Sequence, residues 1–283
     1  MAKVTIKKIV LSLLGPVFCA VIVGIYFIGS DILRPWVIDM RINFLESYVS
    51  GTVKLILGIL GILVLSLLLN GNGFKHCFSP KGYKKALFTF VPCYLIYLKL
   101  LSPLILLALF PSAIQIAQAN FEHLRMALPS RIFFEISNSI FEEVVIRALL
   151  LVTLLYFWGN SYVGRICIAI FGGVVFALLH DWNFFILYTS IGFLFCAAYI
   201  YSKNILVLIV VHTFSNMITF ISNSITVTSG DYDVIIMAVL RNTGLGIYYI
   251  LFPLFGLIAC IKAAPFSNEI NLRFNVRSEG EIN

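Results

Sequence analysis

Charged side chains are scarce in this sequence. They make up 12% of the 283 residues, whereas 60% of the residues are hydrophobic and the mean hydropathy is +1.00. A soluble domain of this length carries roughly a quarter charged residues to keep its surface hydrated. The composition therefore excludes an ordinary soluble domain and indicates a chain embedded in a membrane.

Several common functional signatures are also missing. The six cysteines form no CxxC pair and most lie in apolar stretches, which argues against a disulfide framework or a zinc knuckle. There is no HExxH zinc motif, no GxSxG serine elbow and no alternating strand pattern of a membrane barrel. The net charge of +7 comes without arginine-rich runs, so nucleic acid is not expected as a partner.

Long apolar segments are what the sequence has instead. A helix needs about 20 apolar residues to cross the bilayer core, and eight segments are predicted to do so: 9–29, 53–70, 86–110, 132–157, 166–180, 184–201, 205–222 and 234–261. They predict an all-α, polytopic transmembrane helical bundle. The first segment is interpreted as a retained helix, because no clear cleavage site follows it.

The domain organisation follows from these segments. Residues 1–261 are predicted to form a single transmembrane domain, with a motif-bearing core at 132–222 and a cytoplasmic tail at 262–283. The polar stretch 111–131 is expected to form a surface helix on the outer side.

The distribution of basic residues predicts the orientation. With both termini in the cytoplasm, twelve Lys and Arg residues fall in inner loops and tails, Arg165 among them, and five fall outside, Lys54 among them. This bias agrees with the excess of positive charge found on cytoplasmic loops. The same orientation brings His180 and Asp231 towards the outer face.

The fourth apolar segment contains ionisable residues that are costly in lipid, at about 2.5–3.5 kcal/mol each on translocon scales. At 100° per residue, Glu135, Asn138 and Glu142 share one face of this helix. Glu143 and Arg147 form an i, i+4 pair in the favourable order. The pattern predicts that Arg147 neutralises Glu143 and leaves Glu142 on a polar stripe facing the bundle interior.

Three further polar residues lie in other apolar helices. His180 ends the fifth segment, while His212 and Asn216 lie one turn apart in the seventh. A single histidine in a membrane helix commonly serves as a hydrogen-bonding group between helices. Together with the acidic residues of the fourth segment, these groups favour a functional site.

Three short motifs carry a resemblance to a known family. The pattern EExxxR spans Glu142–Arg147, FxxxH spans Phe176–His180 and HxxxN spans His212–Asn216, in this order and each on its own predicted helix. This set resembles the CAAX-protease and bacteriocin-processing (CPBP) family of intramembrane endopeptidases. The resemblance covers under a third of the chain, and Ala148 stands where the family often has glycine.

The resemblance implies an enzyme that hydrolyses a peptide bond with an activated water. By this resemblance, Glu142 deprotonates the water with help from His180, while His212 and Asn216 stabilise the oxyanion. The Glu143–Arg147 pair would organise the site. No cofactor is implied; if the enzyme were metal-dependent, Glu142, His180 and His212 would be the zinc ligands.

Substrate and location follow only in outline. Relatives cut prenylated CAAX peptides or process bacteriocin leaders, so a peptide or protein substrate that is lipidated or carries a leader peptide is expected beside the lipid bilayer. The short hydrophilic segments fit a bacterial inner membrane. Two other functions stay open, namely a non-proteolytic scaffold or immunity factor and a proton-coupled small-solute transporter.

Overall fold

The computed structural model describes residues 2–39, 43–79, 81–93, 128–180, 182–226 and 247–266. These ranges are almost entirely helical and contain no strand, so the predicted all-α fold class is confirmed. The helices are α1 (Ala2–Ser12), α2 (Leu14–Asp39), α3 (Asn43–Leu68), α4 (Gly73–Phe78), α5 (Tyr83–Thr89), α6 (128–158), α7 (Tyr162–Leu178), α8 (Phe185–Ser202), α9 (Ile205–Thr226) and α10 (Phe252–Lys262).

Three described stretches are long and apolar enough to cross a membrane: Ile6–Gly29, Glu46–Leu68 and Trp182–Ser202. Shorter apolar helices lie at Tyr162–Leu178, Ile205–Phe220 and Tyr249–Lys262. The chain is thus an integral membrane protein built as a helical bundle. Most of the predicted segment 86–110, most of the predicted surface helix at 111–131, Asp231 and most of the tail lie outside the described residues.

The centre of the bundle is a π-helical turn within α6. The residues Glu143–Leu149 adopt i→i+5 geometry, and every one of them is buried. This turn contacts α2, α3, α7, α8 and α9, so five helices surround it. Single π-helical turns inside α-helices occur frequently at functional sites, and here the turn carries the acidic and basic residues of the first motif.

Close packing of α7 against α8 positions the second motif. A Cβ on Gly173 would lie 2.7 Å from the backbone oxygen of Thr189, and one on Gly192 would lie 2.9 Å from Gly173 Cα. Glycines at both positions therefore allow the two backbones to approach closely, as is common between membrane helices. Phe176, one turn beyond Gly173, is held against this contact, which fixes the end of α7 where His180 follows.

Arg165 is not in an inner loop, as the sequence had predicted, but in the first turns of α7 with 6% of its surface exposed. Its Nε donates a hydrogen bond to the Cys260 backbone oxygen at 2.8 Å, and Nη1 donates to the carbonyls of Gly159 and Asn160 at 3.0 and 3.2 Å. The guanidinium thus satisfies carbonyls that the end of α6 leaves without helical partners. It also ties α6 and α7 to α10.

Lys54 was counted among the basic residues of the outer segments, and the side of the membrane on which it lies stays a prediction. It lies inside α3, within the apolar stretch Glu46–Leu68, and is only 9% exposed. A buried polar partner makes this placement possible, as the site below shows.

The orientation predicted from basic residues can be tested by thiol labelling. Lys81→Cys, before α5, is expected on the cytoplasmic side, and Trp182→Cys, after α7, on the opposite side. A Cys167→Ser background removes the native thiol that is exposed among the described residues. A membrane-impermeant reagent applied to intact cells should then label only the cysteine at position 182. Equal labelling of both positions from one side would contradict the predicted orientation.

Candidate active site

Two adjacent acidic residues lie at the start of the π-helical turn of α6. Glu142 is 9% exposed and Glu143 is fully buried. The Nη1 atom of Arg147 lies 3.3 Å from Glu143 Oε1, so the predicted i, i+4 ion pair is present. The pair lies in the buried turn that five helices contact, where an unpaired charge would be costly.

His212 of α9 contacts both acidic residues. Its Nδ1 lies 2.6 Å from Glu143 Oε1, and its Nε2 lies 3.7 Å from Glu142 Oε2. The sequence had assigned Glu143 to Arg147 alone, whereas the structure gives Glu143 Oε1 two partners. When Nδ1 donates its hydrogen to Glu143, the imidazole is held in one orientation with Nε2 directed towards Glu142.

The guanidinium of Arg147 is enclosed by aromatic rings. Its Cζ lies 4.1 Å from the centre of the Phe176 ring and 5.4 Å from that of Phe195. Stacking on aromatic faces suits a planar cation in an environment without water. The phenylalanine of the FxxxH motif therefore contacts the arginine of the EExxxR motif, which links two of the three motifs directly.

His180 follows the end of α7. Its Nδ1 donates to the Phe176 backbone oxygen at 2.7 Å, and its ring stacks on Tyr188 at 4.4 Å between ring centres. Because a carbonyl only accepts, this bond assigns the hydrogen to Nδ1 and leaves Nε2 as an acceptor in the neutral ring. His180 also lies within electrostatic range of Glu142.

Asn216 belongs to a neighbouring cluster. Its Nδ2 donates to Glu135 Oε2 at 2.8 Å, and Arg131 Nη2 lies 2.5 Å from Glu135 Oε1. Glu135 and Glu142 lie two turns apart on the buried stripe of α6 that the sequence predicted. Asn216 thus reaches this stripe through Glu135, whereas the polar contacts of His212 are with Glu142 and Glu143.

Lys54 completes the stripe and was missed by sequence reasoning. Its Nζ donates to Asn138 Oδ1 at 2.5 Å and lies 4.6 Å from the centre of the Phe134 ring. The signal available in the sequence was a lysine at the start of an apolar helix and an asparagine on the polar stripe. The sequence alone does not predict this contact, because Lys54 and Asn138 are 84 residues apart and lie in different helices.

The six predicted site residues fall into two groups. Glu142, Glu143, Arg147 and His212 form one buried cluster with His180 at its edge, and Asn216 lies beside it on Glu135. Glu142 Oε2 accepts no hydrogen bond from any residue in the described ranges. This buried oxygen is therefore available to a water or a substrate, as is Glu143 Oε2, but Glu142 Oε2 is the one that also lies 3.7 Å from His212 Nε2. The catalytic roles of all six residues stay predictions.

The sequence left zinc as an alternative, with Glu142, His180 and His212 as its ligands, and metal dependence stays a prediction. In the part of the chain that the structure describes, no group of three or more His, Cys, Asp or Glu side chains is arranged to hold a metal ion. Of the three alternative ligands, His180 uses Nδ1 for the Phe176 carbonyl, and Glu142 and His212 approach each other directly.

The helical bundle and its buried cluster define a class: an all-α membrane protein that holds carboxylates and imidazoles in its interior. Residues 125–218 match the family model described as type II CAAX prenyl endopeptidase Rce1-like. The match covers about a third of the chain, includes all three motifs and supports membership of the CPBP/Rce1-like family. The match supports the coarser prediction, an intramembrane endopeptidase of the CAAX type.

Comparison with curated proteins gives no match, and no solved structure matches the chain.

Proposed function

We propose that the chain cuts its substrate with a water activated by Glu142. The observation that carries the proposal is the Glu142 Oε2 atom, which is buried, lies 3.7 Å from His212 Nε2 and has no hydrogen-bond partner among the described residues. A water has two hydrogens to donate, and two acceptors are present in this region, Glu142 Oε2 and His180 Nε2. Such a water would be held and polarised before the substrate arrives.

In the proposed reaction the water oxygen attacks the carbonyl carbon of the scissile bond, and its proton passes to Glu142. The negative charge that develops on the carbonyl oxygen is stabilised by the Nε2–H of a protonated His212. Glu143 supports this role because its carboxylate holds Nδ1 at 2.6 Å and balances the imidazolium. Glu142 then returns the proton to the amine nitrogen as the C–N bond breaks.

Arg147 and Asn216 have supporting roles in the proposal. Arg147 holds the Glu143 carboxylate in place through the 3.3 Å ion pair. Asn216 has a second Nδ2 hydrogen besides the one given to Glu135, and it is the candidate for a further oxyanion donor. In the proposed arrangement the enzyme lies in a bacterial inner membrane with both termini in the cytoplasm. Its proposed substrate is a prenylated CAAX peptide or a leader-bearing peptide.

The role of His180 can be isolated with a ring-preserving substitution. His180→Phe retains an aromatic ring against Tyr188 but removes the Nε2 acceptor, so kcat is expected to fall about 10²-fold with little change in KM. Trp182→Phe alters an exposed aromatic residue of the same segment and serves as the control. Steady-state kinetics that show a loss only in KM, or equal losses in both variants, would remove His180 from the chemistry.

Metal dependence is tested by chelation. If Glu142 acts as the base without a metal, the purified protein should retain its activity after dialysis against a strong chelator. Activity and metal content are measured on the same samples. Stoichiometric zinc that is lost together with activity, and restored with it, would replace the glutamate mechanism by the zinc alternative.

A further inference from the structure

A second polar site lies away from the carboxylate–histidine cluster. A pocket of about 490 Å³ is enclosed by the segment that joins α3 to α5 and by the end of α8. Four lysines line it, Lys75, Lys81, Lys85 and Lys203, together with His76. None of the described residues that line this pocket is acidic. It shares no residue with the candidate active site and is called the lysine pocket below.

The walls of the lysine pocket are fixed by hydrogen bonds. The fully buried Asn204 donates through Nδ2 to the backbone oxygens of Ser79 at 3.0 Å and Lys81 at 2.7 Å. Gly82 has a φ of +80°, and a Cβ there would collide with the backbone oxygen of Ser202. The loop that carries Lys81 is therefore held directly against the end of α8, so the lysines converge on a shape that exists before any ligand arrives.

Lys203 is an unusual residue for its position. It caps α8 with a φ of +53°, a left-handed conformation in which glycine or asparagine is favoured, and it is only 9% exposed. Its Nζ lies 3.5 Å from the Ala264 backbone oxygen and 5.7 Å from the centre of the Phe266 ring. A left-handed backbone conformation is unfavourable for a lysine, and burial is unfavourable for its charge. Strained residues of this kind are commonly found at functional sites.

The positive charge of Lys203 affects the ionisation of His76 in the same pocket. Burial, and secondly the charge of Lys203, lower the pKa of His76 to about 4. His76 is therefore neutral near pH 7, and its Nε2 forms a 2.7 Å hydrogen bond with the hydroxyl of Tyr199. The charged side chains in the lining of the pocket are thus four lysines, and this lining suits an anionic ligand.

We propose that the lysine pocket binds a phosphate group at the membrane surface. Lysine ammonium groups act as point charges for phosphate, and basic pockets between membrane helices on the cytoplasmic side are suited to anionic headgroups. Exposed apolar side chains flank the pocket: Leu67, Phe74 and Tyr83 are 58%, 67% and 48% exposed. Tyrosine is enriched at the depth of lipid headgroups, where its ring is apolar and its hydroxyl reaches water.

The test measures binding to the purified full-length chain. The probes are vesicles of phosphatidylglycerol, vesicles of phosphatidylcholine and inorganic phosphate in detergent solution. Lys203→Asn removes the cation but retains a residue that tolerates the left-handed conformation. The double variant Lys75→Gln/Lys81→Gln changes only exposed side chains. Lys84→Gln removes one exposed charge of α5 that is outside the pocket lining.

Lys203→Asn and the double variant are expected to weaken phosphatidylglycerol binding about five- to tenfold, while Lys84→Gln changes it less than about twofold. If inorganic phosphate binds with the same order of sensitivity, the source is a soluble phosphate compound; if only phosphatidylglycerol does, it is a lipid headgroup. An effect of Lys84→Gln as large as that of Lys203→Asn, or no effect of any variant, would overturn the proposal in favour of general surface attraction.

Discussion

Glu142→Gln is expected to lower the rate of peptide hydrolysis by about 10²–10⁴-fold, because it removes the group that accepts the proton of the attacking water. Glutamine has nearly the same shape, and Glu142 Oε2 has no hydrogen-bond partner among the described residues that the change would leave unpaired. The fold should therefore survive. The measurement is the cleavage rate of a membrane peptide by purified enzyme, with KM and the thermal midpoint determined on the same preparations.

The matched control for this variant is Glu46→Gln, which makes the same chemical change at an exposed carboxylate of α3. Its rate is expected to equal that of the wild-type chain. A Glu142→Gln enzyme with unchanged rate would exclude Glu142 as the base. If the wild-type chain cleaves no peptide, and Glu142→Gln weakens its binding to a partner protein, the scaffold function is favoured instead.

Arg147→Met is expected to lower the free energy of unfolding by up to about 3–5 kcal/mol, the usual cost of removing one member of a buried ion pair. His212, whose Nδ1 lies 2.6 Å from Glu143 Oε1, stays as a partner of Glu143 and lowers this cost. Arg147 and Glu143 are both fully buried, and the Arg147 guanidinium also stacks on Phe176 at 4.1 Å. Methionine fills much of the volume but carries no charge. Denaturant unfolding of the protein in detergent micelles gives the difference.

Two further variants separate charge from packing. Adding Glu143→Gln to Arg147→Met removes the Glu143 carboxylate, which has lost its arginine partner in the single variant. The double variant should therefore regain part of the lost stability. Lys84→Met removes an exposed cation and should change the free energy of unfolding by less than about 0.5 kcal/mol. An Arg147→Met protein that is as stable as Lys84→Met would show that the ion pair contributes nothing to the fold.

The helical class and the buried polar stripe of α6 were predictable because they depend on properties of single segments. Apolar length indicates helices in lipid, and the spacing of Glu135, Asn138 and Glu142 at 100° per residue places them on one face whatever the partner helix is. The Glu143–Arg147 pair is likewise local, four residues apart on one helix. All of these features were recovered in the structure as buried groups.

The remaining features depend on contacts between helices, which periodicity does not encode. The π-helical turn at Glu143–Leu149 has an ordinary apolar sequence around its charges, and only packing against five helices fixes it. The partner of Lys54 is Asn138, and that of Asn216 is Glu135, both reached across long separations in the chain. Arg165 was misplaced for the same reason, since its carbonyl partners come from the end of α6 and from α10.

The central claim is that Glu142 performs peptide hydrolysis inside the membrane. The most direct measurement compares membrane peptides, by quantitative mass spectrometry, in cells that carry the wild-type chain, Glu142→Gln or Glu46→Gln at equal levels. The account predicts uncut peptides that accumulate only with Glu142→Gln, with the matching fragments present in the other two strains. Identical peptide profiles in all three strains would contradict it.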